Sequence, residues 1–219
     1  MRKLERGQAP ACLSKYKHGR DNWSSTSKNC RDEIRKELKA MQGLFCAYCE
    51  SRLNRHDKRH IEHFYERDKE PQKTFDWSNL FWSCNEPDSC GKYKDNKASA
   101  TIDLTKVCKP DEKDPAGFLL FVADGSVEPQ SGLSAADLEV AKNTIQIFNL
   151  NGSSKLVGKR RKAAQVERPL AEIYYQTVIE FIGTEDPEME QLLDEERKNA
   201  LARIENAEHS AVLKQVWGF

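Results

Sequence analysis

Four cysteines in two pairs are the residues of this chain whose types and spacing are best suited to chemistry. Cys46 and Cys49 form a C-x-x-C pair, and Cys84 and Cys90 form a looser pair about 35 residues later. Two thiolate pairs at such a separation are typical of a structural zinc site, in which the metal folds two distant segments against each other. The sequence therefore predicts a four-sulfur zinc site that holds the intervening segment in place.

The segment between the cysteine pairs carries polar residues of a catalytic type. Glu62 and His63 are adjacent, and Asn79 follows them. An alternative joins His60 and His63 to the first cysteine pair as a two-cysteine, two-histidine finger, but it leaves the second cysteine pair unexplained. An acid beside a histidine is also common on ordinary surfaces. The order of the three residues within the cysteine frame is what favours a catalytic site.

Two predicted elements position these residues. Apolar residues recur at helical spacing between a capping Ser27 and a terminating Gly43, which predicts a helix whose apolar face packs beneath the cysteines. Residues 60–64 alternate in the manner of a short strand. Strict alternation puts Glu62 and His63 on opposite faces, so a bulge or the end of the strand has to bring them to one site.

The composition indicates a polar globular chain without an excess of either charge. Of 219 residues, 38% are hydrophobic, the mean hydropathy is -0.78, and 35 basic side chains balance 35 acidic ones. Basic residues concentrate in 155–162 and acidic residues in 172–208, so the chain is bipolar. No stretch has the roughly 18 apolar residues of a membrane span, and the start does not resemble a signal peptide. We expect a soluble, cytoplasmic protein in which three further cysteines are buried or incidental rather than part of a disulfide framework: Cys12, Cys30 and Cys108.

Taken together, these motifs resemble the HNH endonuclease family. The resemblance lies in the C-x-x-C pair, I-E-H-F at 61–64, W-S-N-L at 77–80, and the second cysteine pair followed by K-x-x-D-N at 92–96. More narrowly, three motifs are similar to the HNH nuclease component of retron and Septu anti-phage systems: R-x-L-x-R at 2–6, C-A-Y-C-E at 46–50 and C-G-K-Y-K-D at 90–95. The flanking helical regions match only in general character.

The resemblance implies a ββα-metal core with an acid and a histidine on the first strand, an asparagine in the intervening loop and a last metal ligand on the helix. His63 would deprotonate a water molecule, since an imidazole with a pKa of about 6.5 can do so near neutral pH. Glu62 would hold Mg²⁺ or Mn²⁺, which prefer hard oxygen ligands. By the same analogy, Asn79 would orient His63 or its loop.

The second ligand of this ion is where the sequence departs from the family pattern. Many members carry His or Asn directly after the second cysteine pair, whereas this chain has Gly91 and Lys92. Asp95 and Asn96 lie one turn further along, Asn85 is another candidate, and its charge favours Asp95. A lysine at position 92 in the ligand place would weaken the ion site or contact a phosphate instead.

Basic residues near the predicted site are candidates for nucleic-acid contacts. These are Arg52 and Arg55 before the strand, and Lys92 and Lys94 after the last cysteine. The lysines fit solvated helix charges equally well. The neighbouring aromatic residues fit the core of a small site better than a platform for stacking bases: Trp77, Phe81 and Trp82.

The remainder of the chain predicts a hairpin and several helices. The hairpin pairs 118–123 with 126–128 around a tight Asp-Gly turn. Predicted helices begin at Ser134, span about 154–182 with a kink or a boundary at Pro169, and run from Asp186 to about Ala207. The apolar chain end either packs back on the core or docks on a partner.

The sequence thus predicts a mostly α-helical α+β protein. A zinc-stapled HNH core at 26–110 follows a basic arm at 1–25 and precedes a helical region at 111–219 for scaffold and partner binding. The resemblance implies a metal-dependent endonuclease acting on DNA or RNA in anti-phage defence, with an ABC-type ATPase partner and with a retron reverse transcriptase and its DNA as further partners. The alternative is a zinc-stabilised nucleic-acid-binding or adaptor module without catalysis, which needs no second metal.

Overall fold

The computed structural model describes residues 1–55, 58–98, 102–184 and 186–219, with the side chains of 97 and 98 left aside. It is an α+β fold, about 52% helical, with two small two-stranded sheets. The helices are α1 (Lys28–Gln42), α2 (Cys90–Tyr93), α3 (Ala135–Ile147), α4 (Ser154–Phe181), α5 (Pro187–Glu205) and α6 (Ser210–Val216). The strands are β1 (Arg59–His63), β2 (Leu80–Cys84), β3 (Leu119–Phe121) and β4 (Val127–Pro129). Within these ranges, no helix combines the length and the hydrophobicity that crossing a membrane requires.

The predicted first helix is confirmed, with both of its expected ends. The Ser27 side chain accepts a hydrogen bond from the Cys30 amide at 3.2 Å, and Gly43 ends the helix with a φ of 62°. Gln42, in the last turn of α1, is buried and joins the helix to β2. Its amide donates to the Trp82 carbonyl at 3.1 Å and accepts from the Trp82 amide at 2.9 Å. The apolar face of α1 therefore packs against the strand that ends in Cys84.

β1 and β2 form an antiparallel pair in regular register. Arg59 lies opposite Cys84, and His63 lies opposite Leu80. All five residues of each strand are paired, so the structure does not contain the bulge that the sequence led us to consider within β1. Successive side chains of β1 therefore alternate between the two faces of the sheet.

α2 follows β2 and packs against it. Cys90, its first residue, has a φ of 58°, and its amide donates to the Phe148 carbonyl at the end of α3 over 2.9 Å. A π-helical turn, Lys94–Ala98, continues the helix and rotates the side chains that follow relative to an α-helix. The first residue of α2, Cys90, is thus held by its hydrogen bond to the end of α3.

The C-terminal half follows the predicted hairpin and helices, with two differences. β3 and β4 pair around Gly125, whose φ is 92°, and Ser134 caps α3 through the Asp137 amide at 3.1 Å. α4 runs without a boundary through Pro169. A further short helix, α6, was not predicted. It returns the apolar chain end to the core, where Trp217 is 1% exposed.

A buried carboxylate ties the last three helices together. Glu167 of α4 accepts two hydrogen bonds from Arg203 of α5, at 2.8 and 2.7 Å. It also accepts one from the Trp217 indole at 2.8 Å. The prediction that the chain end packs back is therefore confirmed.

The first 25 residues pack on the rest of the chain instead of forming a free basic arm. Met1 and Leu4 are buried, and the Arg6 guanidinium donates to the Trp77 carbonyl at 2.6 Å. A disulfide joins Cys12 to Cys30 at the start of α1. Both cysteines are buried, as expected, but the expectation that they form no disulfide is wrong, because docking of the N-terminal segment on α1 brings them together. The domain boundaries drawn from the sequence stay a prediction.

Candidate metal centre and active site

The four predicted zinc ligands come together in a buried group. Cys46 and Cys49 lie on the turn after α1, whereas Cys84 ends β2 and Cys90 begins α2. Their sulfur atoms all lie within 4.8 Å of one another, and those of Cys49 and Cys84 are 4.0 Å apart. Zinc bonds thiolate sulfur at about 2.3 Å in a tetrahedron, so its ligands lie about 3.8 Å apart. The group can therefore hold a metal such as zinc, and it is the one such cluster of three or more His, Cys, Asp or Glu found in the described ranges.

The charges around the sulfurs also fit a metal thiolate. Burial raises the pKa of the Cys90 thiol well above its usual value, so a bound cation is needed to keep four sulfurs ionised together. Arg160 of α4 is 1% exposed, and its Nε and Nη1 atoms have no acceptor among the described residues. Burial lowers the pKa of this guanidinium, and negative charge on Cys49 opposes that effect. A zinc ion with four thiolates is anionic, which accounts for a buried cation at this place.

Contacts with the two ends of the chain hold the first cysteine turn in place. Glu50, directly after Cys49, has a φ of 60° and a buried side chain. Its carboxylate accepts from the Ala211 amide at 3.0 Å and from the Arg2 guanidinium at 3.1 Å. His209 and the Cys49 carbonyl form a further hydrogen bond through Nδ1 at 2.9 Å. The cysteine turn is therefore stabilised by residues that are remote in the sequence.

The His63 imidazole is buried at the end of β1 and has a fixed orientation. Its Nε2 lies 3.0 Å from the Thr74 carbonyl, which can only accept, so Nε2 carries the proton. The Trp23 ring packs edge-on against the imidazole with the ring centroids 4.5 Å apart. Burial, followed by the charge of Arg67, lowers the pKa of His63 to about 4. At neutral pH the imidazole is uncharged, with the lone pair on Nδ1.

Asn79 fixes the loop that carries the Thr74 carbonyl. Its side-chain oxygen accepts from the Tyr65 amide at 2.7 Å, and its side-chain nitrogen donates to the carbonyls of Tyr65 and Lys73 at 3.1 and 3.0 Å. The Asn79 carbonyl also accepts from the Phe64 amide. Asn79 therefore acts on His63 through the loop, since its own side chain contacts the backbone around the imidazole.

Glu62 lies on the other face of β1, 1% exposed, and has partners separate from those of His63. One carboxylate oxygen is 2.9 Å from Nε2 of His60, and the other is 3.1 Å from Nζ of Lys94. Burial opposes ionisation of Glu62, but Lys94 and His60 more than offset it, and the pKa of the carboxyl lies below its usual value. Lys94 Nζ also donates to the His63 carbonyl at 3.1 Å. An internal ammonium therefore joins the carboxylate to the backbone of the histidine.

The divalent ion implied by the resemblance does not fit these side chains as they stand. Lys94 pairs with Asp95 as well as Glu62, so both predicted carboxylate ligands already share a cation. Asn96 is exposed. A Cβ at position 91 would lie 2.3 Å from a Glu62 oxygen, so only glycine fits where many HNH endonucleases carry His or Asn. The sequence pointed to Lys92 as the residue that would disturb the ion, but Lys92 is exposed, and Lys94 is the lysine that pairs with both carboxylates.

No protein-family model and no curated protein matches this chain. The roles of the side chains are therefore inferred from their contacts, and the resemblance to HNH endonucleases stays a prediction.

The predicted nucleic-acid contacts are scattered. Lys94 is 0% exposed, and its ammonium pairs with Glu62 and Asp95 inside the protein. Lys92 is exposed, as is Arg55. The Arg52 guanidinium lies 4.9 Å from the Phe45 ring centroid. The backbone amide of Arg52 donates a hydrogen bond to the side chain of Glu208, which follows α5 in the chain. Asn85, the alternative metal ligand, contacts His60 at 2.8 Å instead.

Sequence reasoning missed a group of residues that line a groove together with Trp23, the ring that packs against His63. Trp23, Arg31 and Arg35 come from the segment before α1 and from α1 itself, and Arg67 follows β1. A signal was present, because Arg31 and Arg35 are four residues apart and must share one face of the predicted helix.

The buried imidazole makes stability depend on pH. The pKa of His63 is about 4 in the folded state and about 6.5 in the unfolded chain, which therefore binds the proton more readily. The free energy of unfolding has its full value above about pH 6.5 and falls by about 3 kcal/mol as the pH drops through the folded pKa. Urea unfolding of the wild type and of His63→Gln across this range measures the effect, since both proteins share the cysteine site. If the free energy of unfolding depended on pH in the same way in both proteins, the lowered pKa of His63 would not be the cause.

Proposed function

We propose that this chain is an endonuclease of the HNH type, with a zinc-stapled ββα-metal core, that hydrolyses phosphodiester bonds of nucleic acid. The observation that carries the proposal is the His63 imidazole, which is neutral, oriented by the Thr74 carbonyl and held by a loop that Asn79 clamps. A general base has to be unprotonated and held in position at the pH of the reaction, and the uncharged, oriented imidazole meets both requirements. The resemblance of the motifs to those of HNH endonucleases implies the same roles for these residues.

His63 supplies the base in the proposed reaction. Because Nε2 donates to Thr74, Nδ1 is the nitrogen that accepts a proton from the attacking water. The water oxygen bonds to phosphorus, the bond from phosphorus to the ester oxygen breaks, and that oxygen leaves as an alkoxide that takes a proton from solvent water, while His63 later releases its proton to solvent. Asn79 is a positioning residue, since it acts only by fixing the loop that orients the imidazole.

A divalent ion enters this proposal only as something to test. Mg²⁺ or Mn²⁺ is the cofactor implied by the resemblance, but Glu62 and Asp95 are both paired with Lys94, and no step of the proposed reaction is assigned to an ion. The four cysteines fit a structural zinc ion, which would fold the turn at Cys46 and the start of α2 against each other.

The biological setting is also a proposal. The R-x-L-x-R, C-A-Y-C-E and C-G-K-Y-K-D motifs favour an effector nuclease of retron or Septu defence, working with an ABC-type ATPase and, in a retron, with a reverse transcriptase and its DNA. An even balance of 35 basic and 35 acidic side chains suits a nuclease that depends on a partner for tight binding of its substrate.

Replacing His63 with alanine is expected to abolish cleavage while zinc content stays unchanged. Loss of a general base lowers a rate by about 10² to 10⁴-fold. The measurement is cleavage of plasmid DNA and of tRNA by the zinc-loaded full chain, alone and with the ATPase, in separate Mg²⁺, Mn²⁺ and metal-free reactions. His18→Ala, the same change at an exposed histidine, is the matched control and should cut like the wild type. Full activity of His63→Ala would refute the proposed function.

A second candidate is a zinc-stabilised binding or adaptor module without catalysis. The observation that favours it is Lys94, whose ammonium takes the place expected for the ion between the two carboxylates. The same assay separates the candidates, because a binding module would cut no substrate in any reaction although it is folded and loaded with zinc.

A further inference from the structure

A groove with strong positive charge lies on the His63 face of β1. Its volume is about 430 Å³, and a smaller cavity of about 180 Å³ shares part of its wall. Residues of three segments line it: the turn before α1, one face of α1, and β1 with the loop that follows. The arginines among them are Arg31, Arg35, Arg59 and Arg67. We call this cavity the arginine groove.

The charge of the arginine groove stands out against a neutral chain. Four guanidinium groups line it, and none of its lining residues in the described ranges is acidic. Arg35 also pairs with Asp32, 2.6 Å away on the exposed side of α1. Such a concentration of one charge sign attracts a polyanion, and planar guanidiniums match the oxygens of phosphate.

The guanidiniums are held together at a cost in stability. The Nε atom of Arg31 is buried and has no acceptor among the described residues, although Nη2 donates to the carbonyls of Trp23 and Ser24. Burial, followed by the charge of Arg35, lowers the pKa of Arg59. Like charges and an unpaired donor at one place are unfavourable without a ligand, and an anion would relieve both.

The groove leads to the proposed base. Arg59, Ile61 and His63 occupy alternate positions of β1 and therefore point to the same face. Trp23 lines the groove and packs against the imidazole, and the charge of Arg67 acts on His63. A chain of phosphates that follows the four arginines would thus bring one phosphodiester bond to His63.

We propose that the arginine groove binds the phosphodiester backbone of a nucleic-acid strand and delivers it to His63. This inference rests on nucleic acid as the ligand of the proposed function, but it does not require that the chain cuts. It replaces the contacts expected from the sequence, since Lys94 is buried and Arg52 lies against Phe45. Binding in the groove is expected to be independent of base sequence, because the guanidiniums contact phosphate oxygens and not the bases.

The test compares two double variants of equal charge change in the zinc-loaded full chain. Arg35→Gln with Arg67→Gln removes two groove charges whose side chains make no hydrogen bond to the backbone of the described residues. Lys162→Gln with Arg168→Gln removes two exposed charges from the basic part of α4. Fluorescence anisotropy with labelled single-stranded DNA, single-stranded RNA and duplex DNA is measured without added divalent ion at several salt concentrations.

The groove variant is expected to bind at least one of the three strands about tenfold more weakly, with a salt slope reduced by about 1 to 2. The α4 variant should lose less than about twofold, since neither of its residues lines the groove. Equal losses in both variants, or no loss in the groove variant, would overturn the inference. Groove-dependent binding without any cleavage would support the groove and refute the nuclease, so the two failures are distinguishable.

Discussion

Replacing Cys90 with serine is expected to remove the zinc ion and with it the cooperative fold of the chain. Cys90 is one of four buried sulfurs in the cluster and also starts α2, where its amide contacts Phe148 of α3. Binding of a structural zinc ion contributes about 10 to 16 kcal/mol, whereas the whole free energy of unfolding of a domain is about 5 to 15 kcal/mol. The Cys90→Ser chain should therefore be largely unfolded at 25 °C, with β1, β2 and α2 released from one another. Circular dichroism, urea unfolding and elemental analysis of zinc check this.

Cys108→Ser is the matched control for this prediction. Cys108 is also buried and free, but it lies outside the four-sulfur cluster. Its replacement should retain one zinc ion per chain and cost only about 1 to 3 kcal/mol, as expected when a buried hydroxyl takes the place of a thiol. If Cys90→Ser kept its zinc and the urea midpoint of the wild type, the metal would have to be bound elsewhere.

Replacing Lys94 with methionine is the second change with a large expected effect. The ammonium is fully buried, and it pairs with the buried Glu62 carboxylate at 3.1 Å and also with Asp95. Methionine keeps much of the side-chain volume but leaves an ionised carboxylate in the interior without its partner. Breaking a buried ion pair in this way costs about 3 to 5 kcal/mol, which urea unfolding at neutral pH can measure.

A double-mutant cycle separates the charge effect from packing. Adding Glu62→Gln to Lys94→Met should recover much of the lost stability, because neither partner then carries an unpaired charge. Lys92→Met is the surface control, since Lys92 is exposed on the same helix, and it should change the free energy of unfolding by less than about 0.5 kcal/mol. Equal stability of the Lys92 and Lys94 variants would show that the ion pair contributes nothing to the fold.

The same variant addresses the divalent ion. If Lys94 occupies the place of an ion between Glu62 and Asp95, its removal should let Mn²⁺ stabilise the protein in proportion to ion concentration. The wild type should show no such stabilisation beyond that of zinc, and the added Glu62→Gln change should abolish it. If Mn²⁺ stabilised the wild type and Glu62→Gln abolished that effect, the ion would be able to displace the Lys94 ammonium.

Local patterns in the sequence determined the elements that surround the site. α1 was predictable because its start and stop signals, Ser27 and Gly43, act within a few residues and its apolar residues repeat at the helical period. The two cysteine pairs were predictable for a related reason, since ligand geometry restricts their spacing. The β3–β4 hairpin and the cap of α3 likewise depend on neighbours in the chain.

The interior of the site was decided only by the tertiary structure. Which lysine is buried, Lys92 or Lys94, depends on the phase of α2. That phase is set by the hydrogen bond from the Cys90 amide to the Phe148 carbonyl and by the π-helical turn that starts at position 94. Such a phase is not encoded in spacing alone, because a one-residue change in the start of a helix turns its side chains by about 100°.

Long-range docking decided the rest. The disulfide of Cys12 with Cys30 requires the N-terminal segment to lie on α1, and the contact of His209 with the Cys49 carbonyl joins residues 160 positions apart. The arginine groove likewise exists only because α1 and the loop after β1 converge beside His63. The sequence by itself determined which four cysteines can bind a metal and where the longer helices lie. Which charged side chains pair in the candidate site was decided by tertiary packing, because a buried charge can pair only with groups that the fold brings within a few ångströms.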